Sequence, residues 1–230
     1  RVREGVCYAL VALTKKGLIT TEEQIAEMFK LIFECGMEQP DVREDPDSPL
    51  RKCVLSVGHA LIEDCGKDFY RHMLEIIERQ IEIQTRSKSR NEAAAMASAV
   101  YLGAVTKYID PSDAKVVAVL DRLLDLLLDP KAPSPSVQKA VADVVAPLVK
   151  ACNQAKTEAF SSQMTLEKFL EEAFTNDNAT IRNGAAMGVG AIVKGLGISA
   201  LKQFDLIKRL QEASVPHAHT QVARAPCFSS

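Results

Sequence analysis

The residues best placed to do chemistry are glycines. The stretch NDNATIRNGAAMGVGAIVKGLG, 176–197, contains Gly188-x-Gly190, a spacing shared with phosphate-binding loops. A dinucleotide fingerprint needs a β-strand before the glycines and a helix opening at them, so that free backbone N–H groups meet the pyrophosphate. Here a turn, Asn176-Asp177-Asn178, comes first, and the glycines fall inside the helical pattern that follows it. Each mid-helix Gly costs about 1 kcal/mol relative to Ala, so several in one helix point to close helix packing. Gly184, Gly188 and Gly190 are therefore expected to admit a neighbouring backbone, not a phosphate.

The other reactive types lack partners at useful spacing. Cys65 and His72, at i and i+7, could share a helix face, but two ligands do not complete a tetrahedral zinc site. His217-Ala-His219 could bind a metal weakly. None of the four histidines precedes a Glu, so the His-Glu pairs of a di-iron helical-repeat hydroxylase are missing. Glu22-Glu23 and Glu171-Glu172 are adjacent on helices and cannot converge on one substrate. Ser161-Ser162 and Ser87/Ser89 have no base at a motif spacing. No catalytic, cofactor or metal site is expected, and an enzyme is not.

The elements that would position such residues form a repeat. Five stretches share one plan: RVREGVCYALVALTKKG, SPLRKCVLSVGHALIEDCG, SRNEAAAMASAVYLGAVTKY, PSVQKAVADVVAPLVKAC and TIRNGAAMGVGAIVKGLG. Anchored on Arg3, Arg51, Arg90, Gln138 and Arg182, successive copies lie 48, 39, 48 and 44 residues apart. HEAT-type helical repeats run at about 40–47 residues. At +3, +6, +7 and +10 from each anchor stand apolar or small residues: Val6, Ala9, Leu10 and Leu13 in the first copy, Ala185, Gly188, Val189 and Ile192 in the last. That is one stripe of a 3.6-period helix written five times. Partner stripes alternate with them: Ile25 to Phe33, Phe69 to Ile81, Val116 to Leu128, Leu166 to Phe174, and Leu201, Phe204, Ile207, Leu210.

Punctuation agrees. Thr20-Thr-Glu-Glu23 reads as a capping box, and Asp110-Pro111-Ser-Asp113 and Ser134-Pro135 as helix starts with proline in the first position. Gly17, Gly66 and Gly195 are expected to end helices in left-handed geometry. Pro130, Pro133 and Pro135 mark a loop that continues neither neighbouring helix. The expected fold is all-α: an α-solenoid of HEAT/armadillo-like repeats, about five helix pairs in a right-handed superhelix. Residues 1–213 would form the array, and 214–230 a polar, disordered tail.

Bulk properties fit that fold. The chain has 230 residues, 47% hydrophobic, with only 5% aromatic and no Trp, a profile of helices packed through small side chains. Net charge is −2, so no global basic field argues for nucleic acid. Six scattered cysteines without a CxxC pair read as reduced thiols. No apolar run approaches a membrane span. The chain opens at Arg1 within a helical pattern, as a piece of a larger protein would.

What remains is surface. Arg51, Lys52, Arg90, Lys139, Arg182 and Lys194 recur near helix ends, and in a stack could fall along one basic ridge facing ribosomal RNA or an acidic protein. Equally, they could pair with Asp47, Asp177 and other loop acids.

The residues 181–213, IRNGAAMGVGAIVKGLGISALKQFDLIKRLQEA, preceded by PSPSVQKAVADVVAPLVKAC and by GHALIEDCGKDFYRHML, resemble a known family. It is the very large HEAT-repeat translational activator of general amino-acid control, general control nonderepressible one, whose central array is similar to the HEAT region of elongation factor three. The likeness runs from about Pro40 to Ala213, with Gly184 to Lys202 its most specific block; after Ala213 the sequence departs from the family. The resemblance implies a non-catalytic, cytoplasmic scaffold that sits on stalled ribosomes and works with an ABC-class partner. It also implies activation of the kinase that phosphorylates translation initiation factor two alpha, with kinase contact outside this segment. By that resemblance the segment would help bind the ribosome or the ABC partner, with no membrane or small-molecule substrate. The alternative class is a HEAT scaffold of nuclear transport or of a phosphatase, which would show acidic and aromatic ladders on its concave face.

Overall fold

The computed structural model describes residues 1–45, 47–87, 91–130, 134–157 and 160–214. Among these residues there are helices and no strands. In chain order they are α1 (Val2–Lys15), α2 (Glu22–Lys30), α3 (Pro40–Arg43), α4 (Pro49–Arg86), α5 (Glu92–Val105) and α6 (Ala114–Leu127), followed by α7 (Pro135–Ala155), α8 (Ser162–Thr175), α9 (Ala179–Leu196), α10 (Ser199–Gln203) and α11 (Leu206–Ser214). A π-helical turn, Leu31–Gly36, extends α2.

The five copies of the repeat become a row of neighbouring helices: α1 packs on α4, α4 on α5, α5 on α7 and α7 on α9. The row is parallel. Tyr8 meets Cys53, Tyr101 meets Val54, Tyr108 meets Glu63, Ser134 meets Glu92 and Asn183 meets Gln138, pairs 45, 47, 45, 42 and 45 residues apart. The sequence period thus reappears as a step between adjacent helices. The second row, α2, α6 and α8, covers the first. This is the single-file α-solenoid that the stripes predict, each repeat burying the apolar face of the next.

Burial follows the stripes in four of five copies. Val54, Val57 and Leu61 are buried, as are Ala93 and Ala97, then Val141, Val145 and Leu148, then Ala185 and Ile192. Only Glu92 of α5 is exposed, because that helix has neighbours on every side. In α1, by contrast, Val6 and Leu13 remain 54% and 43% exposed.

Helix α4 differs from expectation. Residues 49–86 are assigned to helix throughout, although Gly66 is expected from its local sequence to end one. A straight helix would set Val54 and Gln84 about 45 Å apart. Yet Val54 touches Gly36, Asn91 donates to the Met37 carbonyl at 2.9 Å, and the Asn91 N–H donates to Gln84 at 3.0 Å. The chain must therefore fold back within α4, giving two arms that supply the second helix of one repeat and the first of the next. Gly66 lies near the reversal but lacks positive φ. Its missing side chain is occupied instead by the Tyr108 ring, whose hydroxyl donates to the Glu63 carbonyl at 2.9 Å.

Other boundaries shift slightly. The capping box uses Thr21 and Gln24, one residue beyond the expected pair. Asp113, not Asp110, caps α6, and Asp110 instead accepts from the Ser112 N–H in the preceding turn. Gly17 has the expected left-handed φ of 68°, but α9 ends at Gly197 with φ 89°, not at Gly195. Gly195 is buried inside α9, where a Cβ would press on the Ala146 carbonyl and Val149. The expected fifth partner helix is divided at Asp205, φ 50°, into α10 and α11.

Ion pairs tie successive helices of the second row. Glu78 meets Lys115 at 3.0 Å and Glu82 meets Arg122 at 3.2 Å, from α4 to α6. Asp125 meets Lys168 at 3.6 Å, from α6 to α8, and Glu167 meets Arg209 at 2.7 Å, from α8 to α11. Arg209 also spans both Glu167 oxygens, at 2.9 and 2.7 Å, and holds that carboxyl below its usual range. Such solvated pairs are worth about 0–1 kcal/mol. A double-mutant cycle on Glu82→Ala and Arg122→Ala should give a coupling under about 1 kcal/mol that shrinks in high salt, measured by urea denaturation. Apolar burial, not this ladder, holds the stack.

Candidate partner-binding surface

Because the first-row helices run parallel, their opening turns share one edge of the array. Arg3, Lys52, Glu92, Lys139 and Arg182 belong to that edge. Lys194 does not: it sits near the end of α9, at the opposite edge, 4.0 Å from Asp143. Arg90 lies outside the described residues, as do Ser89, Pro133 and the tail with His217, His219 and Cys227.

The remaining cations do different jobs. Lys52 and Lys139 are exposed and have no acidic partner among the described residues. Arg182 is half-buried and donates to the carbonyls of Asn176 and Asp177 at 2.8 and 2.9 Å, fastening the turn between α8 and α9. Arg51 is only 3% exposed, and its Nε lacks a partner among the described residues. Burial presses its pKa down, while Glu92, Asp45 and Asp47 oppose that shift. Arg51 is thus a core residue in an acidic surround rather than part of an exposed ridge. Its phase shows why: the anchor lies on the same helical face as the +3 and +7 positions it introduces, so the stripe carries it inward.

Two buried amides on this edge were not singled out as functional, and they stitch repeats together. Gln138, fully buried, donates to the Thr180 carbonyl at 3.0 Å and accepts from Asn183 at 2.6 Å. Asn91 caps α5 through the Ala94 N–H at 3.1 Å and donates to Glu38 at 2.8 Å. An amide at the anchor position, as at Gln138, or just after it, as at Asn91, is the available signal, because a buried polar group must find partners and here they include groups in the adjacent repeat. The edge therefore mixes two exposed lysines with carboxylates such as Glu92, which accepts from the Ser134 N–H at 3.1 Å.

The glycines that opened the question resolve by contact. A Cβ on Gly184 would strike the Leu127 carbonyl and Gln138, and one on Gly188 would strike the Phe169 ring. Gly184 admits a backbone as expected, whereas Gly188 admits a side chain. Gly190 has no neighbour within 4 Å and faces outward. No phosphate cradle arises, since all three lie well inside α9 with its N–H groups already bonded.

No group of three or more His, Cys, Asp or Glu side chains among the described residues could hold a metal ion. The Cys65 thiol lies 3.6 Å from the Ile19 carbonyl, and His72 is 3.9 Å from Glu22. Burial raises the pKa of Cys7, Cys65 and Cys152, keeping them as thiols. No helix among the described residues is long and apolar enough to cross a membrane.

No family model matches the chain, and no solved structure does. Curated proteins do. The chain is 28% identical over 210 residues to the human (Homo sapiens) stalled ribosome sensor GCN1, covering 91% of this chain and 7% of that protein. It is 28% identical over 213 residues to the protein ILITYHIA of Arabidopsis thaliana, covering 93% and 7%. It is 29% identical over 202 residues to the eIF-2-alpha kinase activator GCN1 of Saccharomyces cerevisiae, covering 86% and 7%. The matched span is longer than the Pro40–Ala213 likeness, and the chain spans about 7% of the length of these relatives. The two GCN1 proteins are named as a sensor and an activator rather than as enzymes, and along about nine-tenths of its length this chain is GCN1-like.

Proposed function

We propose that the chain is a non-catalytic scaffold segment in translational control that docks on the ribosome. The observation that carries the reading is the GCN1-like sequence along nine-tenths of a single-file helical array. Such an array offers a long surface for a large partner and lacks a closed site for a small one. In this reading Lys52 and Lys139 make salt-screened contacts to ribosomal RNA or to an acidic ribosomal protein, and Arg182 and Arg51 support the edge from below. An ABC-class protein would share the surface, and the location would be cytoplasmic. Activation of the kinase belongs to the longer relatives as wholes.

The test is co-sedimentation of the purified chain with ribosomes through a sucrose cushion. Binding is expected at low ionic strength, falling as salt rises, and weakening at least several-fold in the Lys52→Glu, Lys139→Glu double variant. A chain that stays in the supernatant at low salt would remove the ribosome from the proposal. Unchanged pelleting of the double variant would remove the lysine edge.

A further inference from the structure

Opposite their buried stripes, the first-row helices carry a lateral face. On α7 it shows Lys139, Asp143, Pro147 and Lys150, all exposed at steps of three or four residues, which is one side of a helix. On α5, Met96 and Val100 stand on the same side as Lys107, which follows the helix, and both are half-buried. Lys107, Lys150 and Lys194 are exposed and lie 43 and 44 residues apart, close to the step that relates neighbouring helices. They therefore form one row across α5, α7 and α9. Lys107 pairs with Glu63 of α4, and Lys194 lies 4.0 Å from Asp143. Lys150 has no acidic partner among the described residues.

Folding does not account for this face. Cations are favoured in the last turn of any helix, which covers Lys194 near the end of α9 and Lys107 just past α5. Lys150 stands five residues before the end of α7, so its place follows the register of the stack instead. Pro147 lies inside α7, where a proline costs about 3 kcal/mol and returns no N–H to the Asp143 carbonyl. It is exposed, so core packing does not offset that cost. A local rule broken on the surface points to a use there. The face lies on α5 and α7, each with packed neighbours on both sides, and is not an end of the array.

We infer that this face receives an acidic amphipathic helix of a partner protein, laid across α5, α7 and α9. Its carboxylates sit on the row Lys107, Lys150 and Lys194, and its apolar side covers Met96, Val100 and Pro147. Spacing selects a helix. Packed helices lie about 8–10 Å apart, which sets the interval between neighbouring lysines. Residues i and i+7 of a helix share a face about 10.5 Å apart, so a carboxylate at every seventh residue meets each lysine in turn. A nucleic-acid strand fits less well, since its charges recur at about 3.4 Å and it would leave the apolar strip without a contact. The exposed surfaces of α5 and α7 also hold no aromatic ring to stack a base and no Arg to grip a phosphate. This contact does not rest on ribosome docking, which uses Lys52 and Lys139 at the other edge.

The experiment is fluorescence anisotropy on the purified 230-residue chain, with helicity followed by circular dichroism. The probes are a labelled peptide of about six helical turns with Glu at every seventh position, Leu beside each Glu and Ala elsewhere, a scramble of the same composition, and a short RNA duplex. The helical peptide should bind at least about tenfold more tightly than its scramble and weaken as salt rises. Lys107→Glu with Lys150→Glu and Lys194→Glu should weaken it at least about tenfold, and Lys150→Glu, which breaks no ion pair, about threefold. Should the triple variant lose helicity, Lys150→Glu alone decides. Lys52→Glu with Lys139→Glu should leave peptide binding within about twofold, so this inference and ribosome docking fail separately. Equal binding of peptide and scramble overturns the inference, as does a peptide that stays free at about 100 μM. So does a Lys150→Glu variant that loses the RNA duplex and keeps the peptide.

Discussion

Gly184→Ala should lower the unfolding free energy by about 1–3 kcal/mol, while Gly190→Ala, six residues along the same helix, should raise it by up to about 1 kcal/mol. The two substitutions have the same intrinsic gain, since a mid-helix glycine is about 1 kcal/mol worse than alanine. They differ in what the new methyl group meets. At Gly184 it strikes the Leu127 carbonyl, a backbone atom that cannot rotate away, and crowds Gln138, whose amide bridges Thr180 and Asn183. At Gly190 it meets open space. Urea denaturation of the two variants reads the difference. Shifts of the same sign would mean that α9 and α7 do not approach as closely as described.

The second large effect centres on Tyr101. Tyr101→Ala should cost about 3–5 kcal/mol, as for other fully buried aromatic deletions, whereas Tyr101→Phe should cost only about 0.5–1.5 kcal/mol. The ring is fully buried between repeats, with centroids 6.1 Å from Phe29, 6.1 Å from Phe33 and 5.6 Å from His59. It also lies over Gly58, where no side chain would fit. The hydroxyl donates to the Leu55 carbonyl at 3.1 Å, and burial drives its pKa far above the usual tyrosine value, so it remains a neutral donor. Comparing the two variants in denaturant separates ring packing from the single hydrogen bond. A Phe variant as damaged as the Ala variant would contradict this division.

The architecture was legible because its stripes are long and in phase. Ile25, Leu120, Val145 and Ile192 are buried as their periodicity predicts, and the spacing of the anchors became the step between neighbouring helices. The finer marks were ambiguous for identifiable reasons. Thr20 and Thr21 each have a Glu or Gln three residues on, and only the backbone geometry selects Thr21 with Gln24. Gly66 and Gly195 resemble helix stops locally, but Tyr108 and Val149 come from more than forty residues away to fill their space. By residue type Arg51 reads as a surface cation, although its phase puts it on the buried stripe. The partner surface was the least legible part, since an exposed lysine such as Lys139 has no internal partner that would betray its role.

The account rests on a one-dimensional stack in which every helix pair is held by its immediate neighbours. Amide hydrogen exchange on the purified chain, followed by mass spectrometry, tests that directly. Protection should peak in α5 and α7, which have neighbours on both sides, and fall stepwise toward α1 and α11. Protection that is level along the chain, or as high in α1 as in α5, would contradict the stack.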